Sequence, residues 1–238
     1  GVLVLYLPLY PSIGGSGELQ GILDSLPPEL ISAFGYDQIA TGAGYTQSTF
    51  FGLVGFVLLV VAATTWGAAL IAGEWESGRL ELDLAHGVNR QRVVLEAALV
   101  LVLKLIGLLA VAVVVIELLN EPARLGIELG NLLAAAVGTL GLVLLSGTVA
   151  LLVGALTGRR SLAAAGGALI ATLGYVLQAI ANQSADLAWL GTFSPFSWVN
   201  DPVPLIEGWN LPGLALVWGC SAVCVAAALL VLRRRDLT

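Results

Sequence analysis

Five uninterrupted apolar runs decide what this chain can fold into. They cover residues 50–73, 93–116, 131–157, 161–182 and 212–232. Each is long enough to cross about 30 Å of hydrocarbon as a helix. Backbone amides in lipid have no water to bond, so the spanning structures are helices or closed barrels. The runs are continuous rather than alternating, which predicts helices and argues against a barrel. Composition agrees. The chain is 58% hydrophobic and 11% charged, with a mean hydropathy of +0.95, whereas a soluble domain carries about 25% charged residues. Its 238 residues accommodate about six spans of roughly 20 residues and leave no room for a second, soluble domain. The expected fold is an all-α membrane protein forming a single transmembrane domain over residues 1–238.

The sixth span comes first in order. Residues 1–10 are apolar but too short to cross a bilayer, and they lack the basic start and small-residue cleavage site of a signal peptide. The expectation is that the sequence begins inside its first membrane helix.

Basic residues set the orientation. Arg79, Arg90, Arg92, Arg159, Arg160, Arg233, Arg234 and Arg235 follow the second, fourth and sixth spans, while Arg124 alone falls in the opposite loops and Lys104 lies within a span. The positive-inside rule places the first set, and both ends of a full-length chain, in the cytoplasm. The loops 11–49, 117–130 and 183–211 then face outward, carrying acids such as Glu18, Asp24, Asp37, Glu121, Asp186 and Asp201. The net charge of −6 gives no reason to expect nucleic acid as a partner; the lipid bilayer is the partner composition implies. Within the first outer loop, apolar residues between 18 and 35 fit two short interfacial helices. The last outer loop interleaves Trp189, Phe193, Phe196, Trp198 and Trp209 with prolines. That pattern suits an aromatic belt at the membrane surface, with a rim for departing substrate, centred on Phe196 and Trp198, as the sharper alternative.

Small residues recur at helix-packing spacing: Ala63 with Gly67, Ala134 with Gly138, and Gly154 with Gly158. Packing within one subunit is the plainer reading and a dimer interface the other. Cys220 and Cys224 share one helical side and read as small packing residues rather than a disulfide or metal pair.

Catalytic equipment is missing from the sequence. There is no Gly-x-x-x-x-Gly-Lys-[Ser/Thr] loop, so no P-loop ATP site. His86 is the single histidine, too few for a multi-histidine metal centre. Ser146 sits in a span without a base, and Leu144 breaks the Gly-x-Ser-x-Gly pattern. The chain is expected to be no enzyme and to hold no cofactor or metal of its own. One polar group does lie at depth. Lys104 is about 17 Å into its span, where a charge costs about 2.5–3.5 kcal/mol, and Glu96 is about 12 Å away on the same helix. Lys104 is therefore a candidate substrate-pathway residue, weighed against structural pairing or snorkelling.

The polar segment 74–92 interrupts this apolar background. Arg79 to Leu84 alternates charged and apolar residues, but Leu80, Leu84 and Val88 also share one helical face. A lone strand would have no partner, so a short amphipathic helix at the cytoplasmic interface is predicted. Gly78 can end the preceding span, Gly87 can end the short helix, and Asn89 can cap the next.

This segment resembles the stretch after the second span of ABC type-2 exporter permeases. The corresponding features are the acidic residues Glu74 and Glu76, the run Gly78-Arg79-Leu80-Glu81, the Leu-rich turn from Leu82 to Ala85, and Arg90 before the third span. The family often has proline where Gly87 stands. Ser194-Pro195-Phe196-Ser197-Trp198 is similar to an outer-loop motif of the antibiotic and multidrug branch, and Arg233-Arg234-Arg235-Asp236-Leu237 to the family's common C-terminus. The resemblance covers essentially the whole chain.

It implies a six-helix permease subunit that pairs with a second copy or a close relative. Two separate ATPase subunits would carry ATP and magnesium. The helix between the second and third spans would be the coupling helix, with Glu76, Arg79, Glu81, Asp83, His86 and Arg90 as its contact positions. The function so implied is ATP-driven export of lipophilic compounds or drugs across the cytoplasmic membrane. An ion- or proton-coupled carrier and a non-transporting membrane assembly subunit are the alternatives.

Overall fold

The computed structural model describes residues 2–13, 41–78 and 89–234. Every regular element among them is helical; no strand occurs among the described residues. The short helices α1 (Val2–Tyr6) and α2 (Tyr10–Ile13) are joined by one tight turn. The long helices follow: α3 (Gly42–Glu76), α4 (Arg90–Asn120), α5 (Leu129–Thr157) and α6 (Arg160–Ala181). A looser stretch holds α7 (Pro195–Asn200) and α8 (Pro204–Glu207), and α9 (Leu211–Arg234) closes the order. Five helices, α3 to α6 and α9, are long and apolar enough to cross a membrane. The interfacial helices expected over residues 18–35 lie outside the described residues.

α3 begins at Gly42, upstream of the apolar run that starts at residue 50. Thr41 explains the early start: its side chain accepts a hydrogen bond from the Gly44 amide at 3.0 Å, satisfying one of the free donors of the first turn. The two threonines that follow are satisfied within the helix. The Thr46 hydroxyl donates to the Gly42 carbonyl at 2.9 Å and the Thr49 hydroxyl to the Tyr45 carbonyl at 2.6 Å. Two stretches of α3, Gln47–Val54 and Ala69–Gly73, are wound as π-helix. At the end of the first, the Gly55 amide reaches back to the Phe50 carbonyl. The Phe50 ring lies over Gly55, where a β-carbon would sit 2.5 Å from it.

The chain divides into two compact units, and each long helix contributes residues to both. The first unit comprises residues 1–57, 108–139 and 173–214. Its core gathers Leu7, Phe51, Ile116, Leu132 and Leu205. The connection after α4 is closed by Asn120, whose side chain donates to the Ile127 carbonyl at 2.7 Å and accepts from the Ile127 amide at 3.0 Å. Leu125 of that connection lies against Gly42, leaving no space for a side chain there.

The second unit comprises residues 58–107, 140–172 and 215–238. Ile71, Val94, Leu151, Ala155, Ala228 and Leu232 form one core, and Ala68, Ala72 and Ala163 a smaller one. Its buried hydroxyls bond back to their own helices. Thr64 donates to the Val60 carbonyl at 2.8 Å, Ser146 to Leu142 at 3.3 Å and Ser221 to Val217 at 2.9 Å. Such back-bonding lets hydroxyls sit in an apolar span without an orphaned donor. Small residues serve helix packing within this chain: Gly67 abuts the Gly147 carbonyl, and Gly154 faces Ala72 and Ala163. Cys220 and Cys224 are free thiols, both half-buried.

α5 is the most enclosed span, with 78% of its most apolar stretch buried, against 17% for α6 and for α9. The outer faces of α4, α6 and α9 expose Leu99, Val111, Leu169, Leu173, Leu216 and Val223. Large apolar side chains exposed in such number suit lipid as the surrounding solvent.

Candidate functional site

The polar segment between α3 and α4 is described at its two ends. Arg79, Glu81, Asp83 and His86 lie outside the described residues, as does the side chain of Arg90. At the first end, Gly78 takes a φ of +72° and its amide bonds to the Trp75 carbonyl at 3.0 Å. Glycine adopts this left-handed conformation without the penalty a β-carbon brings, so the helix stops there. At the second end, the Asn89 side chain accepts from the Gln91 amide at 2.9 Å, an N-cap at the start of α4. One turn later Arg92 and Glu96 form an exposed ion pair at 2.7 Å.

Glu76 has a definite partner within the second unit. Its carboxylate accepts a hydrogen bond from the backbone amide of Arg160 at 2.8 Å. That amide is an unsatisfied donor at the N-terminus of α6, where the helix dipole also favours a negative charge. The α5–α6 turn is shaped by Gly158 at φ +66° and by Thr157, whose hydroxyl accepts from the Arg159 amide at 3.2 Å. Glu76 therefore ties the start of the polar segment to the turn between α5 and α6. Glu76→Ala should cost about 1 kcal/mol, as the loss of a helix cap does, and lower the thermal midpoint of the purified protein by about 2–4 °C. An unchanged midpoint would mean that this bond contributes nothing.

At the other candidate position, in the first unit, the sequence Ser194-Pro195-Phe196-Ser197-Trp198 builds α7. Ser194 is fully buried; it caps α7 by accepting from the Ser197 amide at 3.1 Å and donates its own proton to the Gly174 carbonyl at 2.6 Å. Pro195 occupies the first helical position, where its missing N–H costs nothing. Phe196 is buried between two rings, edge-on to Phe56 at 5.1 Å and to Tyr175 at 5.2 Å between centroids. The Trp198 indole donates to the Thr192 carbonyl at 2.7 Å. Asn200 accepts from the Gln47 amide group at 2.8 Å and donates to the Phe196 carbonyl at 3.0 Å. Trp189, Phe193 and Trp209 stay exposed.

Lys104 lies near the middle of the 31-residue α4 on its exposed side. Its Nζ stands 5.2 Å from the centroid of the Trp66 ring on α3, a cation–π distance. Among the described residues no carboxylate pairs with it. None of these groups forms a metal centre; no cluster of three histidine, cysteine or acidic ligands occurs among the described residues.

Residues 24–233 match the family described as multidrug efflux system permease Rv1217c, C-terminal domain. The chain belongs to this family. It is a membrane protein of the multidrug efflux permease kind, and its five membrane-capable helices agree with that. The chain matches no curated protein and no solved structure.

Of three contacts at these positions, two have no sequence signal. Glu76 and the Arg160 amide are far apart in the chain, as are Gln47 and Asn200, and Trp66 and Lys104 sit on different spans. An apolar span containing one lysine and one tryptophan on neighbouring helices hints at the last pair; nothing in spacing or composition hints at the others.

Proposed function

We propose that this chain is the transmembrane subunit of an ATP-driven exporter of the ABC type-2 kind, moving lipophilic compounds or drugs out across the cytoplasmic membrane. Membership of a multidrug efflux permease family over residues 24–233 carries this reading. The sequence lacks a P-loop, so the energy source sits on a separate ATPase, two copies of which would bind ATP and magnesium. The permease works as a dimer with a second copy or close relative and has six spans, residues 2–13 belonging to the first. Its Arg-rich segments and both termini face the cytoplasm.

The segment 74–92 is the coupling element. Glu76, Arg79, Glu81, Asp83, His86 and Arg90 face the ATPase, and closure of the two ATPases shifts the balance between two conformations of the membrane helices. The Glu76–Arg160 bond supports this role, because a push on the segment reaches the α5–α6 turn through it. A proton-coupled carrier is less well supported. It needs carboxylates at depth, and the described acids of the spans, Glu74, Glu76, Glu96 and Glu117, all lie toward helix ends.

The test is co-purification of the full-length protein with the ATPase encoded beside it, followed by reversal of Glu81 and Asp83 to lysine. The expected result is loss of stable assembly and at least a tenfold fall in substrate-stimulated ATP turnover, as removal of charge pairs at an interface brings. Intact assembly with undiminished turnover would remove the coupling assignment.

A further inference from the structure

Among the described residues Lys104 has no match for its charge. At 1.5 Å per residue it lies about 21 Å from the Arg90 end of α4 and about 24 Å from the Asn120 end. A lysyl stem is too short to carry its ammonium from the middle of a hydrocarbon layer about 30 Å thick to either surface. A charge held there faces protein, water or a ligand. The described residues supply only part of the answer, the π face of Trp66 at 5.2 Å. On α4 itself, Glu96 is about 12 Å away and Glu117 about 20 Å along the axis, and Glu96 is already engaged with Arg92.

The face of α4 that carries Lys104 is exposed. Gly107, one turn further along α4, is exposed, and a β-carbon built there would meet nothing within 4 Å. Trp66 is half-buried and offers a flat apolar wall. Leu103 and Ile106 are exposed on the same helix. An exposed stretch of α4, an aromatic wall and one cation therefore meet at mid-span.

We infer that Lys104 and Trp66 form a binding position for lipophilic anions, meaning apolar compounds with one carboxylate or similarly acidic group, approached from within the bilayer. The ammonium pairs with the acid while the indole, Leu103 and Ile106 take the apolar body. A lipid headgroup does not suit the site, because it resides at the membrane surface rather than at mid-depth. The described residues of a second copy do not suit it either. Among the described residues no span offers a mid-helix carboxylate, and a twofold axis through this face would set lysine against lysine. The inference rests on the export reading and gives it a substrate class.

The probe is 11-(dansylamino)undecanoic acid against its methyl ester and the matching amine, each titrated onto the purified full-length protein by fluorescence. The acid should bind at least about tenfold more tightly than the ester, the scale of one charged hydrogen bond in an apolar site. The amine should bind more weakly still. Lys104→Met should erase the preference for the acid without changing ester affinity or thermal midpoint, and Lys104→Arg should keep it. Equal binding of acid and ester, or a preference that survives Lys104→Met, overturns the inference; the second result would follow if Lys104 were paired with a carboxylate of another membrane subunit. Export is measured separately in cells carrying the full-length protein and its neighbouring ATPase. A preference for the acid with no export of any probe or drug would leave the binding position standing and remove the transport reading.

Discussion

Replacing Gly67 with alanine is expected to destabilise the protein by about 2–3 kcal/mol, the cost of forcing extra volume into a packed site. For a chain of this size that lowers the thermal midpoint by about 4–12 °C. The reason is the approach of α3 to α5 within the second unit. A β-carbon on Gly67 would run into the carbonyl oxygen of Gly147, with the carbonyl carbon at 3.1 Å and Ala150 Cβ at 3.2 Å. The closeness is mutual, since a β-carbon on Gly147 would stand 3.2 Å from the Ala63 carbonyl oxygen and 2.9 Å from Leu101 Cδ2. Backbone cannot rotate away as a side chain can, so relief requires the helices to separate. Gly67→Leu should abolish folded protein in size-exclusion profiles. Gly219→Ala is the matched control: nothing lies within 4 Å of its β-carbon position, and the midpoint should not fall. If Gly67→Ala behaves like Gly219→Ala, the two helices are not packed backbone to backbone.

That crossing also shows what the sequence discloses and what it withholds. Ala63 and Gly67 are visible as a small-residue pair, yet spacing cannot say whether they face another subunit or another span of the same chain. The structure uses them internally, against Gly147 and Ala150. The spans were legible because hydropathy is continuous along them. The start of α3 was not, because Thr46, Gln47 and Thr49 read as polar loop, and only their hydrogen bonds show that a helix tolerates them. Helix ends were legible where the chemistry is local, as with Gly78 and Asn89. The stretch 183–211 reads as prolines and aromatics, whereas it forms one short 3₁₀ segment and two short helices, with Ser184 and Ser194 as caps. Lys104 stood out as the lone cation inside a span. Its neighbour Trp66 depends on how two helices face each other, which no single-helix pattern encodes. Of the coupling positions, Glu76 alone is described with its side chain and acquires a partner, because Arg79, Glu81, Asp83, His86 and the side chain of Arg90 lie outside the described residues.

Phe196 decides between the two readings of the outer loop. Within the first unit it is 8% exposed and sits edge-on to both Phe56 and Tyr175, with interplanar angles of 75° and 78°. Ser194 fixes the entry to α7 on Gly174, and Asn200 ties its end to Gln47. A ring so placed holds α7 to α3 and α6. Phe196→Ala should then cost about 3–5 kcal/mol, the usual loss for a buried phenylalanine, or roughly 6–20 °C in thermal midpoint. Phe196→Leu, which keeps most of the volume, should cost less than half as much. A double-mutant cycle with Phe56→Leu should return a coupling of about 0.5–1.5 kcal/mol, the range for an aromatic pair in contact. Trp198→Phe should lose about 1 kcal/mol for the indole bond to Thr192. A substrate rim predicts the reverse pattern. Phe196→Ala would reduce export of some compounds and not others, the midpoint would stay where it was, and the cycle with Phe56 would show no coupling. An unchanged midpoint for Phe196→Ala would therefore return Phe196 to the transport path and leave α7 to be held by its hydrogen bonds alone.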